Sequence, residues 1–160
     1  MNETDLFRQL LARFHEECVE YILIDGQAVR LNGFLRTTED VDVLIRASRE
    51  NGERVKRALS FLPSSGDLDP DWFVSTGEEV ENIRIADDLI VDLLFAANGE
   101  TYESMLPFVT EIDVDGVPVR LLNIDGLLRT KTDYRQKDLL DKQALRSIQE
   151  ELERRKADSD

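Results

Sequence analysis

The stretch that decides the class of fold is DVDVLI, residues 40–45. Its apolar residues form a run typical of a strand that is covered on both faces of a sheet. Asp40 and Asp42 lie two positions apart, so alternation along the strand directs both side chains to the same face. A second apolar run, LIVDLLF at residues 89–95, is interrupted in the same way by Asp92. If the two strands are neighbours, three carboxylates converge on one spot.

Two interpretations of these carboxylates are open. In the first, Asp40 is a turn residue, Asp42 lies on an edge strand and Asp92 faces solvent on the open side of the sheet. In the second, the carboxylates repel one another and share a hard divalent cation with oxygen ligands. The second interpretation predicts a site for Mg²⁺ or Mn²⁺, ions that also bind phosphate oxygens.

The rest of the chain predicts a small mixed β-sheet flanked by helices, an α/β (α+β) fold that ends in C-terminal helices. Further strands are expected at residues 21–24 and 82–86 and in a hairpin over 111–121. Helices are expected over residues 4–18, 27–32, 49–62, 123–134 and 136–155. The loop 63–71 is expected to be mobile. We expect a single domain over residues 1–149, followed by a polar tail over residues 150–160.

Composition excludes several classes of function. The chain has 160 residues and a formal net charge of −14, and such a surface repels the phosphate backbone, so a nucleic-acid partner is not expected. One cysteine, Cys18, leaves no intramolecular disulfide. No apolar run approaches the length of a membrane helix, and the first residues do not form a signal peptide. These features predict a cytoplasmic protein without a membrane partner.

Several short motifs resemble the nucleotidyltransferase superfamily of the DNA polymerase β type, and most closely its minimal, AbiEii-like bacterial members. The resemblance spans residues 20–145. The matching motifs are LIDGQAV at residues 23–29, Gly33, RTT at 36–38, DVDVLI at 40–45, LRTK at 128–131 and RQKDLLD at 135–141. Such members are linked to toxin–antitoxin and phage-defence systems.

The resemblance implies roles for individual residues. Asp40 and Asp42 would hold the metal ions that bind a nucleoside triphosphate. Asp92 would be the third metal ligand and the catalytic residue that assists the attacking hydroxyl. The nucleotide-binding residues implied are Gly26, Gln27, Arg36, Thr38, Lys131 and Lys137.

One position departs from the family pattern. The family has Gly-Gly or Gly-Ser after the first strand, whereas this chain has Asp25 before Gly26. Asp25 either caps the following helix or occupies the phosphate site with its own charge. Two functions follow: a metal-dependent enzyme that moves a nucleoside monophosphate to a hydroxyl of a protein or small molecule, or an impaired antitoxin or binding subunit that acts by protein contact.

Overall fold

A six-stranded sheet of mixed direction organises the part of the chain that the computed structural model describes, residues 3–24, 40–74, 82–131 and 135–159. The strand order is β3-β4-β2-β1-β6-β5. β2 pairs in parallel with β4 and antiparallel with β1, and β1 pairs in parallel with β6. The strands are β1 (Tyr21–Ile24), β2 (Asp40–Ile45), β3 (Asn82–Ala86), β4 (Ile90–Leu94), β5 (Val109–Val114) and β6 (Val117–Leu122).

Five α-helices and three short 3₁₀ helices accompany the sheet in the described ranges. The α-helices are α1 (Glu3–Glu16), α2 (Arg49–Ala58), α3 (Tyr102–Met105), α4 (Ile124–Thr130) and α5 (Gln136–Ser159). The 3₁₀ helices are Pro63–Asp67, Pro70–Phe73 and Leu106–Phe108. None of the helices described is both long and apolar enough to cross a membrane. The predicted fold class, a mixed sheet with flanking and C-terminal helices, is confirmed.

The core forms where the apolar face of α1 meets the sheet. Leu10, Leu11 and Phe14 recur at helical spacing and are buried, because α1 packs against β6 and α2. All four residues of β1 are buried as well. The continuous apolar run of β1 is therefore explained by its place inside the sheet.

A buried asparagine joins α2 to the strands that lead into the site. The Asn51 side chain is fully buried and accepts a hydrogen bond from the backbone N–H of Glu20 (2.8 Å). Its amide nitrogen donates to the carbonyl oxygens of Glu20 (3.0 Å) and Arg46 (2.9 Å). The residue before β1 and the residue after β2 are thus held together through one side chain.

Several predicted boundaries need correction. The helix expected over residues 49–62 ends at Ala58, and Leu62, which precedes Pro63, is extended, as residues before proline usually are. The expected loop 63–71 instead contains the first 3₁₀ helix and the start of the second, and it buries Ser65 and Leu68. β4 spans Ile90–Leu94 rather than residues 89–95.

The C-terminal predictions are mostly borne out. Of the two residues that could cap α4, Asn123 and Asp125, it is Asn123 that does so, by accepting from the backbone N–H of Gly126 (2.9 Å). α4 ends at Thr130, and residues 132–134 lie outside the described ranges. α5 continues to Ser159, so the expected tail is helical where it is described, and its side chains from 150 to 158 are exposed. The helix predicted at 27–32 lies outside the described residues.

Candidate active site

The three predicted carboxylates lie on neighbouring positions of two paired strands. β2 and β4 run in parallel with Asp42 directly opposite Asp92 and Asp40 opposite Ile90. Directly paired residues of neighbouring strands present their side chains on the same face, with backbones about 4.8 Å apart. Asp40 shares that face because it lies two residues before Asp42. The structure thus brings together the carboxylates that the sequence singled out, while their roles stay predictions.

A fourth residue, Arg84 on β3, completes this group. Its Nε lies 2.8 Å from Asp92 Oδ1, and its Nη2 lies 3.1 Å from both Asp92 Oδ2 and Asp40 Oδ2. One guanidinium therefore binds Asp92 through both oxygens and also bridges to Asp40. Such forked binding of a carboxylate is the geometry in which arginine forms its strongest ion pairs.

Burial differs sharply among these partners. The Asp92 side chain is 9% exposed, whereas those of Asp40 and Arg84 are 37% and 56% exposed. Hydrogen bonding to Asp92 and the charge of Asp92 raise the pKa of Arg84 above its usual value. Arg84 is therefore fully charged at any physiological pH, and it is the cation that compensates the nearly buried Asp92.

The donor chemistry suits a divalent metal, but the arrangement does not complete a metal site. Carboxylate oxygens are the ligands that Mg²⁺ and Mn²⁺ prefer. Within the residues that the structure describes, however, no group of three or more His, Cys, Asp or Glu side chains is arranged to hold a metal ion. Arg84 contacts both Asp92 oxygens and one Asp40 oxygen. Arg84 therefore contacts oxygens that a metal ion would use, and the predicted metal-binding roles of the three carboxylates stay predictions.

Lys131 is placed differently from an exposed phosphate-binding lysine. Its side chain is 3% exposed and its Nζ lies 3.1 Å from Oδ2 of Asp141, which is 8% exposed. Asp138 and Lys142 of α5 are buried as well. In this position the charge of Lys131 is matched by Asp141. Its predicted contact with nucleotide stays a prediction that requires the ammonium to exchange this partner for phosphate.

Asn98 fixes the backbone around Lys131. Its side-chain amide donates to the carbonyl oxygens of Arg129 (3.1 Å) and Lys131 (3.0 Å). Asn98 itself has a positive φ of 50°, a backbone conformation that asparagine tolerates better than most residues. The turn that follows β4 is thereby tied to the end of α4.

Of the other predicted nucleotide-binding residues, the structure describes only Lys137. Lys137 is exposed in the first turn of α5. The other four predicted nucleotide-binding residues lie outside the described residues, as does Asp25. These four are Gly26, Gln27, Arg36 and Thr38. Their segment connects β1 to β2. Ile24, the last described residue before this segment, pairs with Asp42.

A pocket of about 460 Å³ lies elsewhere, between α2 and the first 3₁₀ helix. Its lining includes Lys56, Arg57 and Ser65 but none of the three carboxylates. The candidate active site is therefore the set of three carboxylates, Asp40, Asp42 and Asp92, and not this pocket.

The fold was compared with known proteins. Neither a family model nor a curated protein sequence matches the chain. Among solved structures, a candidate nucleotidyltransferase from Thermotoga maritima aligns over 100% of this chain and 97% of its own, with a TM-score of 0.54 at 14% identity. The chain therefore shares the fold of this nucleotidyltransferase structure. The resemblance noted in its motifs is confirmed at the level of the fold.

Two structures of ANT(2″)-Ia show the same nucleotidyltransferase fold. The solution structure of this antibiotic-resistance factor covers 98% of this chain and 95% of its own, with a TM-score of 0.54 at 16% identity. The crystal structure in complex with adenylyl-2″-tobramycin covers 94% of this chain and 97% of its own, with a TM-score of 0.53 at 15% identity. The similarity therefore extends over nearly the whole of each chain.

Proposed function

We propose that this chain is a metal-dependent nucleotidyltransferase that moves a nucleoside monophosphate from a nucleoside triphosphate to a hydroxyl group. The observation that carries the proposal is the direct pairing of Asp42 with Asp92 on parallel strands, with Asp40 on the same face, in a nucleotidyltransferase fold. Three carboxylates so close together repel one another, and cations beside them relieve that repulsion. A nucleotide bound with divalent cations fits this requirement.

Each carboxylate has a proposed role. Asp40 and Asp42 would hold the cation that binds the triphosphate, and Asp92 would take part in binding and would accept the proton of the attacking hydroxyl. A bound divalent cation would supply positive charge where negative charge develops at the α-phosphate. Lys137, exposed at the start of α5, is available to the outer phosphates. Pyrophosphate is the leaving group.

The proposed acceptor is a hydroxyl of a small molecule or of a protein rather than a nucleic-acid end. The net charge of −14 repels a polynucleotide and favours an acceptor of positive charge. The crystal structure of ANT(2″)-Ia holds adenylyl-2″-tobramycin, a small molecule with an attached adenylyl group. That precedent in the same fold supports a small-molecule acceptor.

A specific observation favours a second candidate function. Arg84 already compensates Asp92 and Asp40, so the carboxylates are partly neutralised without a metal. The chain also has Asp25 where the family has glycine. Both features suit a nucleotidyltransferase-like subunit, such as the antitoxin of a toxin–antitoxin pair, that binds a basic partner by contact.

Transfer of a labelled α-phosphate distinguishes the two functions. The protein is incubated with labelled nucleoside triphosphates, Mg²⁺ or Mn²⁺, and either aminoglycosides or a protein extract as acceptor. We expect metal-dependent labelling that is lost in Asp92→Asn and retained in Asp88→Asn, because Asp88 is exposed in the turn before β4. Equal labelling by Asp92→Asn would contradict the proposed site. Absence of labelling with every triphosphate and acceptor, together with stable capture of a basic protein, would favour the binding subunit.

A further inference from the structure

Arg84 stands at a point where a metal-binding site and an ion pair compete for the same oxygens. Both oxygens of Asp92 accept from its guanidinium, at 2.8 and 3.1 Å, and Asp40 accepts from the same Nη2 at 3.1 Å. These are the oxygens that a divalent cation would need. A guanidinium and a metal ion cannot occupy one position, and their charges repel each other.

The position of Arg84 allows it to leave. β3 is the first strand in the sheet order, and its alternate residues Asn82, Arg84 and Ala86 are exposed. The Arg84 side chain is 56% exposed and Asp40 is 37% exposed, so water screens much of this bridge. The contact with Asp92 is better protected, because that carboxylate is only 9% exposed. Departure of Arg84 leaves Asp92 nearly buried and negative, and a divalent cation would restore the missing charge.

We propose that Arg84 is an internal counter-cation that holds Asp40 and Asp92 in the metal-free protein and must be displaced when a divalent cation binds. The inference rests on the proposed function only in placing the metal at the same carboxylates. It makes Arg84 a determinant of metal affinity rather than a catalytic residue. Loss of its charge strengthens metal binding and weakens the metal-free fold.

Binding of Mn²⁺ to the full-length protein, measured by electron paramagnetic resonance and calorimetry, tests this competition without any activity assay. Arg84→Gln removes the charge, and Arg84→Lys keeps a charge that cannot fork across both Asp92 oxygens. Arg8→Gln is the control, because the Arg8 side chain is as exposed as that of Arg84 and forms an ion pair at 2.9 Å with Asp115, in the turn between β5 and β6 at the other end of the sheet order. Arg8→Gln changes the net charge of the protein by the same amount as Arg84→Gln.

The expected order of Mn²⁺ affinity is Arg84→Gln above Arg84→Lys above wild type. Removal of one positive charge a few ångströms from the ion is expected to tighten Arg84→Gln roughly tenfold or more. Arg8→Gln is expected to stay within about twofold of wild type, because distant exposed charges are screened. Equal or weaker binding by Arg84→Gln overturns the inference.

A second readout uses the wild type alone and does not depend on whether a variant folds. In this experiment diamagnetic Mg²⁺ takes the place of Mn²⁺. As Mg²⁺ is titrated into the protein, the Nε–H resonance of Arg84 is expected to shift and to lose its protection from exchange. An unchanged resonance at saturating Mg²⁺ overturns the inference. If no variant binds either metal, both this inference and the metal dependence of the proposed function fail. If Arg84→Gln binds Mn²⁺ tightly but no variant transfers nucleotide, the inference stands and the proposed function fails.

Discussion

Asp42 and Asp92 are direct partners across the parallel strands β2 and β4, although the chain between them forms a helix, two 3₁₀ helices and a further strand. Parallel pairing requires such a crossover, so residues distant in the sequence bring the two carboxylates together. Their placement is a property of the fold rather than of one local motif. Like charges placed directly opposite each other destabilise a sheet, which makes their presence an argument for function.

Replacing Asp42 is therefore expected to spare the metal-free fold. Asp42→Ala removes one of three mutually repelling carboxylates and should leave the free energy of unfolding unchanged or raise it by up to about 1 kcal/mol. Asp88→Ala, in the exposed turn, is the control and should have no effect. Urea unfolding in the absence of metal measures the free energy of unfolding of both variants. A clear loss of stability in Asp42→Ala would show that this carboxylate has a structural role.

Sequence patterns identified the carboxylates but not Arg84, and the reason lies in a hairpin register. The predicted connection, Asp87-Asp88, has two residues and would pair Arg84 with Val91. The observed connection has three residues, so Ala86 pairs with Ile90 and Arg84 pairs with Asp92. One additional turn residue thus decides which side chain faces the site. Alternation along β3 could have marked Arg84 as one of its exposed residues, but not its partner.

Lys131 shows a different limit of sequence analysis. The sequence predicts that Lys131 lies within a helix that continues to residue 134, whereas the structure ends α4 at Thr130 and has Lys131 as its C-cap. The basic residues around Lys131 suggested a surface for phosphate, yet Lys131 is almost fully buried against Asp141. The type of a residue does not reveal whether its charge faces solvent or a partner, because burial follows from how α4 and α5 pack together.

The Lys131–Asp141 pair is expected to stabilise the protein only as a pair. Lys131→Met leaves the buried Asp141 without this partner and should cost on the order of 3 kcal/mol, whereas Lys131→Met with Asp141→Leu should recover most of that loss. Arg154→Met is the control, because Arg154 pairs with Glu151 on the exposed part of α5 and should contribute below about 1 kcal/mol. A double-mutant cycle from urea unfolding gives the coupling. Additive losses would show that the two charges act independently.

Asn51 is expected to be the most sensitive polar residue outside the site. Asn51→Ala removes three hydrogen bonds to backbone groups of Glu20 and Arg46 and should destabilise the protein by about 3 kcal/mol. Ser48→Ala removes only the N-cap bond of α2 and should cost about 1 kcal/mol. Calorimetric melts compare the two variants. Similar losses would mean that the Asn51 network adds nothing beyond helix capping.

Gly52 is expected to resist replacement although it lies inside a helix. Alanine would normally stabilise a helix by up to about 1 kcal/mol relative to glycine. Here a Cβ would lie 2.8 Å from two ring atoms of Phe73, and that buried ring is held edge-on against Phe95. Gly52→Ala should therefore destabilise by about 1–3 kcal/mol. Gly66→Ala, with nothing within 4 Å of its Cβ, is the control and should be near neutral; a stabilising Gly52→Ala would show that the ring can move.

The most direct measurement is the melting temperature of wild type and Asp42→Asn with Mg²⁺ and a non-hydrolysable nucleoside triphosphate, added separately and together. At about 100 times its dissociation constant, a ligand stabilises the native state by about 2.7 kcal/mol. We predict that Mg²⁺ and triphosphate together raise the melting temperature of wild type by several degrees, that either alone raises it by less, and that Asp42→Asn does not respond to the combination. No response of the wild type to any triphosphate, or an equal response of Asp42→Asn, would contradict a nucleotide site at the paired carboxylates.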